Sequence, residues 1–199
     1  MRDRIQTTYT YFGTGLLVSA ASAVAIFRSP AMLRLFANSS IMSTVVTMAA
    51  VIGSSIVVQS IPYEPGFGAK QLAFLGHTAL IGGIIAPLSF VGGQILLRAA
   101  VYTAGIVGGL STIAACAPSE KFLTWGAPLG IGMGAVLAAN IGSLFLPPTS
   151  ALGAGLASIV VYGGLVLFSG FLLYDTQRII KKAETTPLYS TRPFDPVNE

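Results

Sequence analysis

The stretch YGGLVLFSGFLLYDTQRIIKK at residues 162–182 decides the fold predicted for this chain. Its first thirteen residues, 162–174, carry no charge, and Asp175 is then followed by Arg178 and two lysines. An apolar run that ends in basic residues is typical of a membrane-spanning helix. At about 1.5 Å per residue, Asp175 lies roughly 10 Å inside the basic end of such a helix. Ionisable groups at such positions are costly, so we interpret Asp175 as a functional residue.

The composition of the whole chain indicates a polytopic membrane protein. Charged residues make up 9%, hydrophobic residues 53%, and the mean hydropathy is +0.77. Soluble domains have about 25% charged residues. The net charge of +4 comes without a dense basic run, so we expect no nucleic-acid partner. Cys116 is the single cysteine, which excludes an intramolecular disulfide and a cysteine-based metal cluster.

Charged residues mark the ends of the predicted spans. The longest uncharged run, 122–174, has 53 residues and contains Pro147 and Pro148, so it holds two helices of about 20 residues each. We predict an all-α bundle over residues 1–182, with a polar tail over 183–199. The six predicted transmembrane helices cover about 6–27, 39–61, 71–92, 95–117, 122–146 and 152–181.

Basic residues predict the orientation of these helices. With six spans, both ends of the chain share one side of the membrane. That side would carry eight basic residues: Arg2, Arg4, Lys70, Lys121, Arg178, Lys181, Lys182 and Arg192. The other side would carry three: Arg28, Arg34 and Arg98. We therefore predict that both ends lie on the positive side, which is the cytosol for a bacterial or secretory-pathway membrane and the matrix for a mitochondrial inner membrane.

Small residues recur every fourth position in the fifth predicted span. The ladder consists of Gly126, Gly130, Gly134, Ala138 and Gly142. Such residues let the backbones of two helices approach closely, and we interpret them as a helix-packing face. The same ladder would also allow two copies of the chain to form a homo-oligomer. In the third span, Gly82 and Ala86 repeat the pattern.

Two interpretations of Asp175 follow from its surroundings. In the structural one, it pairs with Arg178, three residues further along the helix, or extends towards the basic interface. In the functional one, it is a proton or cation site. Because Ca²⁺ prefers six to eight oxygen ligands, Asp175 alone is a partial Ca²⁺ site. Backbone carbonyls, Thr176, water or a second acid must complete it.

Other polar residues in the spans are candidate supporting groups. His77 is the only histidine, and a hydrogen-bonded core position is favoured over a proton relay. Arg98, near the start of the fourth span, is interpreted as interfacial. Gln59 and Asn140 are expected to form hydrogen bonds between helices. The spans contain no HExxH, GxSG or phosphate-loop motif and no paired carboxylates. We therefore expect no enzyme activity and no cofactor.

Several motifs together resemble the transmembrane Bax-inhibitor-motif family. They are RDRIQTTYTYF (2–12), QSIPYEPG (59–66), APSEKF (117–122), LPPT (146–149) and FLLYDTQRII (171–180). They occur in the family's order along nearly the whole chain. Within that family, the chain looks most like a mitochondrial inner-membrane member.

The resemblance implies a fold of six helices around a central seventh and an exchange of matrix Ca²⁺ for protons. Asp175 would be the first of two aspartates that share a proton. We expect the last, central helix with the second aspartate to be missing from this chain, and Asp195 to be a poor substitute. Gln59 occupies the neighbourhood of an arginine that relatives carry. The resemblance also implies roles in apoptosis control and cristae organisation, with a membrane-bound protease as a partner.

Two rival functions stay open. One is a scaffold that organises inner-membrane complexes through its glycine-rich helices without transporting ions. The other is a calcium leak channel, pH-gated but without obligatory exchange of protons.

Overall fold

The computed structural model of the protein describes residues 2–38, 40–118, 120–143, 145–147, 149–186 and 194–198. Within those residues the chain is helical and contains no strand. Six helical segments are long and apolar enough to cross a membrane, which confirms the predicted all-α polytopic class. A helix suits this setting because its backbone N–H and C=O groups satisfy one another without water.

The helices follow the uncharged runs of the sequence. A 3₁₀ segment, Ala86–Val91, extends the fourth helix; another, Leu123–Trp125, precedes the sixth. A π-helical segment, Ile159–Gly163, joins the last two into one continuous rod. The helices are α1 Arg2–Phe27, α2 Pro30–Phe36, α3 Ile41–Ser60, α4 Ala69–Ile85, α5 Gly93–Cys116, α6 Gly126–Ser143, α7 Ala151–Ser158 and α8 Gly164–Thr185.

The ends of the spans differ from the predicted ones by a few residues. The last span ends at Thr185 rather than 181, because lysine and glutamate are good helix formers and continue the helix past the apolar run. The short helix α2 was not predicted; it begins with Pro30, a residue suited to a first helical turn. The candidate spans are Asp3–Phe27, Ile41–Ser60, Ala69–Val91, Gly93–Cys116, Leu123–Ser143 and Ala151–Thr185.

The chain divides into two compact units. The first comprises Met1–Ala100 with Thr186–Glu199, and the second comprises Val101–Thr185. The predicted tail therefore belongs partly to α8 and partly to the first unit. Arg192, which was counted for the orientation, lies outside the described residues. The orientation of the spans in the membrane stays a prediction.

In the first unit, α1 packs closely against α4. The hydroxyl of Ser19 donates to the carbonyl oxygen of Thr78 at 2.7 Å, and that of Ser22 donates to Ala79 O at 2.8 Å. A Cβ on Gly82 would lie 2.3 Å from the carbonyl oxygen of Ser19. Small residues thus bring the two backbones together, as in other membrane helix pairs.

The segment 194–198 contacts the start of α4 in the same unit. Lys70, in the first turn of α4, is 1% exposed and forms an ion pair with Asp195. Its ammonium group also donates to the carbonyl oxygen of Ile61 at 3.0 Å. The other carboxylate oxygen of Asp195 accepts from the backbone N–H of Val197 at 3.1 Å. Lys70, a charged residue expected to mark the end of a span, is therefore buried and ion-paired.

In the second unit, α6 and α8 pack through two reciprocal contacts. A Cβ on Gly132 of α6 would lie 2.7 Å from Cδ1 of Leu167 in α8. In the same way, a Cβ on Gly170 of α8 would lie 2.7 Å from Cδ2 of Leu129 in α6. Each helix thus places a leucine over a glycine of the other, in antiparallel register. This contact uses positions three residues apart in each helix.

The predicted glycine ladder does not form this contact as a whole. A Cβ on Gly126 would lie 3.1 Å from a tyrosine ring of α8, and one on Gly142 would lie 3.2 Å from a leucine of α7. Gly130 and Gly134 have nothing within 4 Å of such a Cβ, and Ala138 is exposed. A four-residue repeat turns about 40° around a helix at each step, so its members leave the shared face. A packing role for the open members stays a prediction.

Candidate functional site

Asp175 lies on the surface of the second unit, in the last span. Its side chain is exposed, and it forms no ion pair with another described residue. Arg178 is exposed as well, so the Asp175–Arg178 ion pair of the structural interpretation is not formed. Exposed pairs gain little free energy, which is why this one need not form. The carboxylate is therefore available to a proton, a cation or another chain.

The two residues directly after Asp175 in the motif are buried. Thr176 is 3% exposed and Gln177 is 5% exposed. The Gln177 carboxamide oxygen accepts from the backbone N–H of Phe122 at 2.7 Å. Its nitrogen donates to the carbonyl oxygens of Pro118 at 3.1 Å and Ala114 at 3.4 Å. One side chain thus ties α8 to the connection between α5 and α6.

Gln177 was missed by the sequence reasoning, although two signals point to it. It is a polar residue with a carboxamide group, two positions from the aspartate that the motif brings into focus. In addition, α5 ends at Cys116, and the last four carbonyls of a helix need partners outside it. Ala114 supplies one of those carbonyls, and Gln177 satisfies it.

An ion pair holds the same connection to α8 one turn further on. Lys181 Nζ lies 2.6 Å from Oε1 of Glu120, and both side chains are well exposed. The hydrogen bond from Lys181, and then its charge, lower the pKa of Glu120 below its ordinary value of 4.5. Glu120 has a φ of 77°, a left-handed conformation that is uncommon for residues other than glycine. The connection is thus held in a strained backbone geometry.

His77 lies in the first unit and bridges two helices. Its Nδ1 is 2.8 Å from the hydroxyl oxygen of Ser54, which joins α4 to α3. The half-buried ring thus has the hydrogen-bonded position that the sequence favoured. Which atom donates depends on the tautomer of the ring. A role for His77 in proton movement stays a prediction.

The remaining supporting candidates lie on the surface. Gln59 donates to the hydroxyl of Ser55 at 3.0 Å within its own helix, so its expected bond between helices is wrong: the nearer hydroxyl, one turn back, takes the amide. Asn140 is exposed and its side chain bonds to no other described residue, so that bond is not found either. Arg98 is exposed in the first turns of α5, which fits an interfacial position.

The candidate residues belong to two different units of the chain. Gln59, His77 and Arg98 belong to the first unit, whereas Asp175 and Arg178 belong to the second. Across the described parts of the chain, no three His, Cys, Asp or Glu side chains are grouped to hold a metal ion. Asp175 thus offers one carboxylate, and a Ca²⁺ ion would take its other oxygen ligands from elsewhere.

Comparisons with known proteins place the chain among membrane proteins of one family. The family model "Inhibitor of apoptosis-promoting Bax1" matches residues 1–198. The chain is 54% identical over 198 residues to growth hormone-inducible transmembrane protein of Rattus norvegicus. This match covers the whole chain and 57% of the rat protein. This bears out the resemblance seen in the motifs.

More distant relatives carry the name Bax inhibitor 1. The protein of Oryza sativa subsp. japonica is 30% identical over 140 residues, covering 69% of this chain and 55% of its own length. The Bos taurus protein is 30% identical over 138 residues, covering 67% of this chain and 56% of its own length. The chain thus spans little more than half the length of these curated relatives. No solved structure gives a significant match.

Proposed function

Because the chain belongs to the Bax inhibitor family of multi-pass membrane proteins, we propose that it exchanges Ca²⁺ for protons across the mitochondrial inner membrane, through a path that includes Asp175. The observation that carries this proposal is the state of Asp175. It is an exposed carboxylate with no ion-pair partner among the described residues, and it lies inside an apolar span that ends at Thr185. Intramembrane ionisable residues commonly mark ion pathways.

The exchange follows from ordinary carboxylate chemistry. A single Asp175 side chain binds either a proton or part of the shell of a Ca²⁺ ion, so the arrival of one favours release of the other. The residue lies within about 15 Å of the end of α8 at Thr185, at about 1.5 Å per residue. It is thus close enough to a polar surface to exchange with water. We propose no enzyme activity and no resident cofactor.

The cellular setting is part of the same proposal. We propose that the protein releases Ca²⁺ from the matrix, with both chain ends on the matrix side. Roles in cristae organisation and apoptosis control, and a membrane-bound protease as a partner, follow from the family resemblance. The family's name and that of the relatives called Bax inhibitor 1 support the link to apoptosis control.

A non-transporting scaffold is the second candidate function, and one observation favours it. Gly130 and Gly134 face open space on α6, where a helix of another chain would find room for close approach. In that case Gly130→Leu should disrupt assembly with inner-membrane partners or a second copy, while Asp175→Asn should have no effect.

The test records Ca²⁺ and pH together in proteoliposomes containing the full chain. Wild type should move Ca²⁺ with opposed protons, and Asp175→Asn should abolish both fluxes. The matched control is Asp3→Asn, the same chemical change at an exposed acid in the first turn of α1, which should transport normally. Silence of folded, inserted wild type, or undiminished flux in Asp175→Asn, would contradict the exchange proposal. Ca²⁺ flux that persists without a pH gradient and moves no protons would favour the leak channel.

A further inference from the structure

The connection between α5 and α6 is attached to α8 at one buried side chain. Gln177 is 5% exposed, and each end of its carboxamide is hydrogen-bonded. Its partners lie at both ends of the connection: Ala114, at the end of α5, and Pro118 lie at its start, and Phe122 lies at its end. We call residues 117, 118 and 120–122 the clasp. The amide of Gln177 binds both ends of the clasp at once.

Two further contacts, one to the start of α6 and one to the clasp, lie on the same face of α8. The ring of Tyr174 lies against Gly126, at the start of α6, and Lys181 pairs with Glu120. Tyr174, Gln177 and Lys181 are spaced by three and four residues, which puts them on one side of a helix. The contacts thus follow one stripe of α8 over about 10 Å.

Asp175 points away from this stripe. At about 100° per residue, it lies about 160° around the helix axis from Gln177. This agrees with the exposure of Asp175 and the burial of Gln177. Rotation of α8 about its axis would change what the Asp175 carboxylate faces. Such a rotation would also break the three hydrogen bonds that the Gln177 carboxamide forms with Ala114, Pro118 and Phe122.

We propose that Gln177 is a positioning residue that fixes the rotation of α8 and thereby the direction in which Asp175 faces. Gln177 does this through its hydrogen bonds to Pro118 and Phe122 of the clasp. The consequence for Ca²⁺ and proton movement rests on the proposed function; the effect on the direction of Asp175 does not. The Glu120–Lys181 ion pair, between exposed side chains of the clasp and α8, helps to hold α8 in the same rotation.

The experiment reads the direction of position 175 without relying on transport. Asp175→Cys is made in a Cys116→Ser background, so that the only thiol is at position 175. The rate of labelling by a charged maleimide in liposomes reports whether that thiol meets water, because the thiolate is the reacting form. Adding Gln177→Leu, which keeps the size but loses all three bonds, should change the rate at least about threefold, since the helix then populates other rotations.

The matched control is Gln94→Leu, the same change at an exposed glutamine in the first turn of α5. It should leave the labelling rate unchanged. Glu120→Gln removes only the exposed ion pair and should shift the rate in the same direction as Gln177→Leu, by a smaller factor. If the Gln177→Leu protein does not fold, the labelling rate of the Glu120→Gln variant tests the proposal instead. Unchanged labelling in the folded variants overturns the proposal.

Transport measured on Gln177→Leu with Asp175 intact separates this proposal from the proposed function. A shift in the pH at which Ca²⁺ flux is half-maximal, with normal flux in Gln94→Leu, supports positioning, whereas a purely structural loss lowers flux equally at every pH. If labelling responds although wild type transports nothing, positioning stands and the exchange proposal fails. If wild type transports and labelling does not respond, positioning fails and the exchange proposal stands.

Discussion

Lys70 and Asp195, 125 positions apart in the chain, form an ion pair in which the lysine side chain is 1% exposed and the aspartate 19%. An ammonium group in such a place must be paired, because burying a lone charge is costly. The carbonyl oxygen of Ile61 takes a second N–H of the ammonium group. Asp195 therefore ties the segment 194–198 to the start of α4.

Removal of this aspartate should destabilise the first unit. Asp195→Ala leaves the Lys70 charge buried without its counter-ion, which should cost on the order of 3 kcal/mol of unfolding free energy. The measurement is SDS- or heat-induced unfolding of the purified protein followed by circular dichroism. Lys70→Met combined with Asp195→Ala should recover much of the loss, because a buried pair can be replaced by apolar groups at little cost. Glu64→Ala, at an exposed acid, is the control. Equal stability of Asp195→Ala and wild type would show that the pair is not formed.

Tyr63 should titrate at unusually high pH. Burial, a hydrogen bond to Tyr11 and the charges of Tyr11 and Asp195 raise the pKa of Tyr63 from 10.0 to about 12. Because the folded pKa is raised, its stabilising contribution is complete below pH 10.0 and is lost as the pH rises towards about 12. The check is the tyrosinate absorbance of wild type minus that of Tyr63→Phe, with circular dichroism to confirm folding.

A second variant, Asp195→Asn, tests the cause of the raised Tyr63 pKa. Asp195→Asn removes a negative charge near Tyr63 and should lower its pKa. A Tyr63 signal that already titrates by pH 10.0 in folded protein would contradict the described packing of Tyr63 against Tyr11, whose ring centroids are 6.3 Å apart.

The Glu120–Lys181 pair should be present at neutral pH and be lost in acid. Lys181 holds the pKa of Glu120 below 4.5, so the pair's contribution is complete above that value and disappears as the pH falls through the lowered pKa. Carboxyl carbon NMR of glutamate-labelled protein should show this titration. Lys181→Gln should return the pKa of Glu120 towards its ordinary value. An unchanged Glu120 pKa in that variant would refute the ion pair.

Two glycine-to-alanine substitutions should differ in their effect on the free energy of unfolding. Gly82→Ala places a methyl group 2.3 Å from the carbonyl oxygen of Ser19, so α1 and α4 must move apart and the protein should lose stability, by about 1–3 kcal/mol as in overpacked cores. Gly130→Ala meets nothing within 4 Å and should be neutral or stabilise by up to about 1 kcal/mol, because alanine favours the helix. Unfolding of both variants in one detergent makes the comparison. Equal effects would contradict the close α1–α4 contact.

Local signals explain why much of the fold was predictable. A span is recognised from about 20 consecutive residues that avoid charge, and the uncharged runs such as 122–174 carry that signal whatever their partners are. The motif around Asp175 likewise indicated the family without any contact being known. Helix ends were less certain, since Lys181 and Lys182 end the apolar run but not α8.

The candidate site was predictable in its chemistry but not in its partners. Asp175 stands out as an acid beside an apolar run, whereas the sequence marks Gln177 only as a polar neighbour of Asp175, and only the structure shows its partners on the connection between α5 and α6. Gln59 and Asn140 were expected to bridge helices, but a nearer hydroxyl and an exposed position decided otherwise. A hydrogen bond between helices depends on how each helix is rotated, which hydropathy does not encode.

By itself, the sequence determined that this is a helical membrane protein with six predicted spans and an aspartate, Asp175, next to an uncharged run. The reason is that charged residues are costly in the hydrocarbon of the membrane, so each span is visible as a long uncharged run. Only the tertiary structure decided that Lys70 forms an ion pair with Asp195 and that Leu129 packs against Gly170. It also decided that Gln177 forms hydrogen bonds with the connection between α5 and α6. These pairings join residues far apart in the chain, and their geometry arises only when whole helices pack with a definite rotation and register.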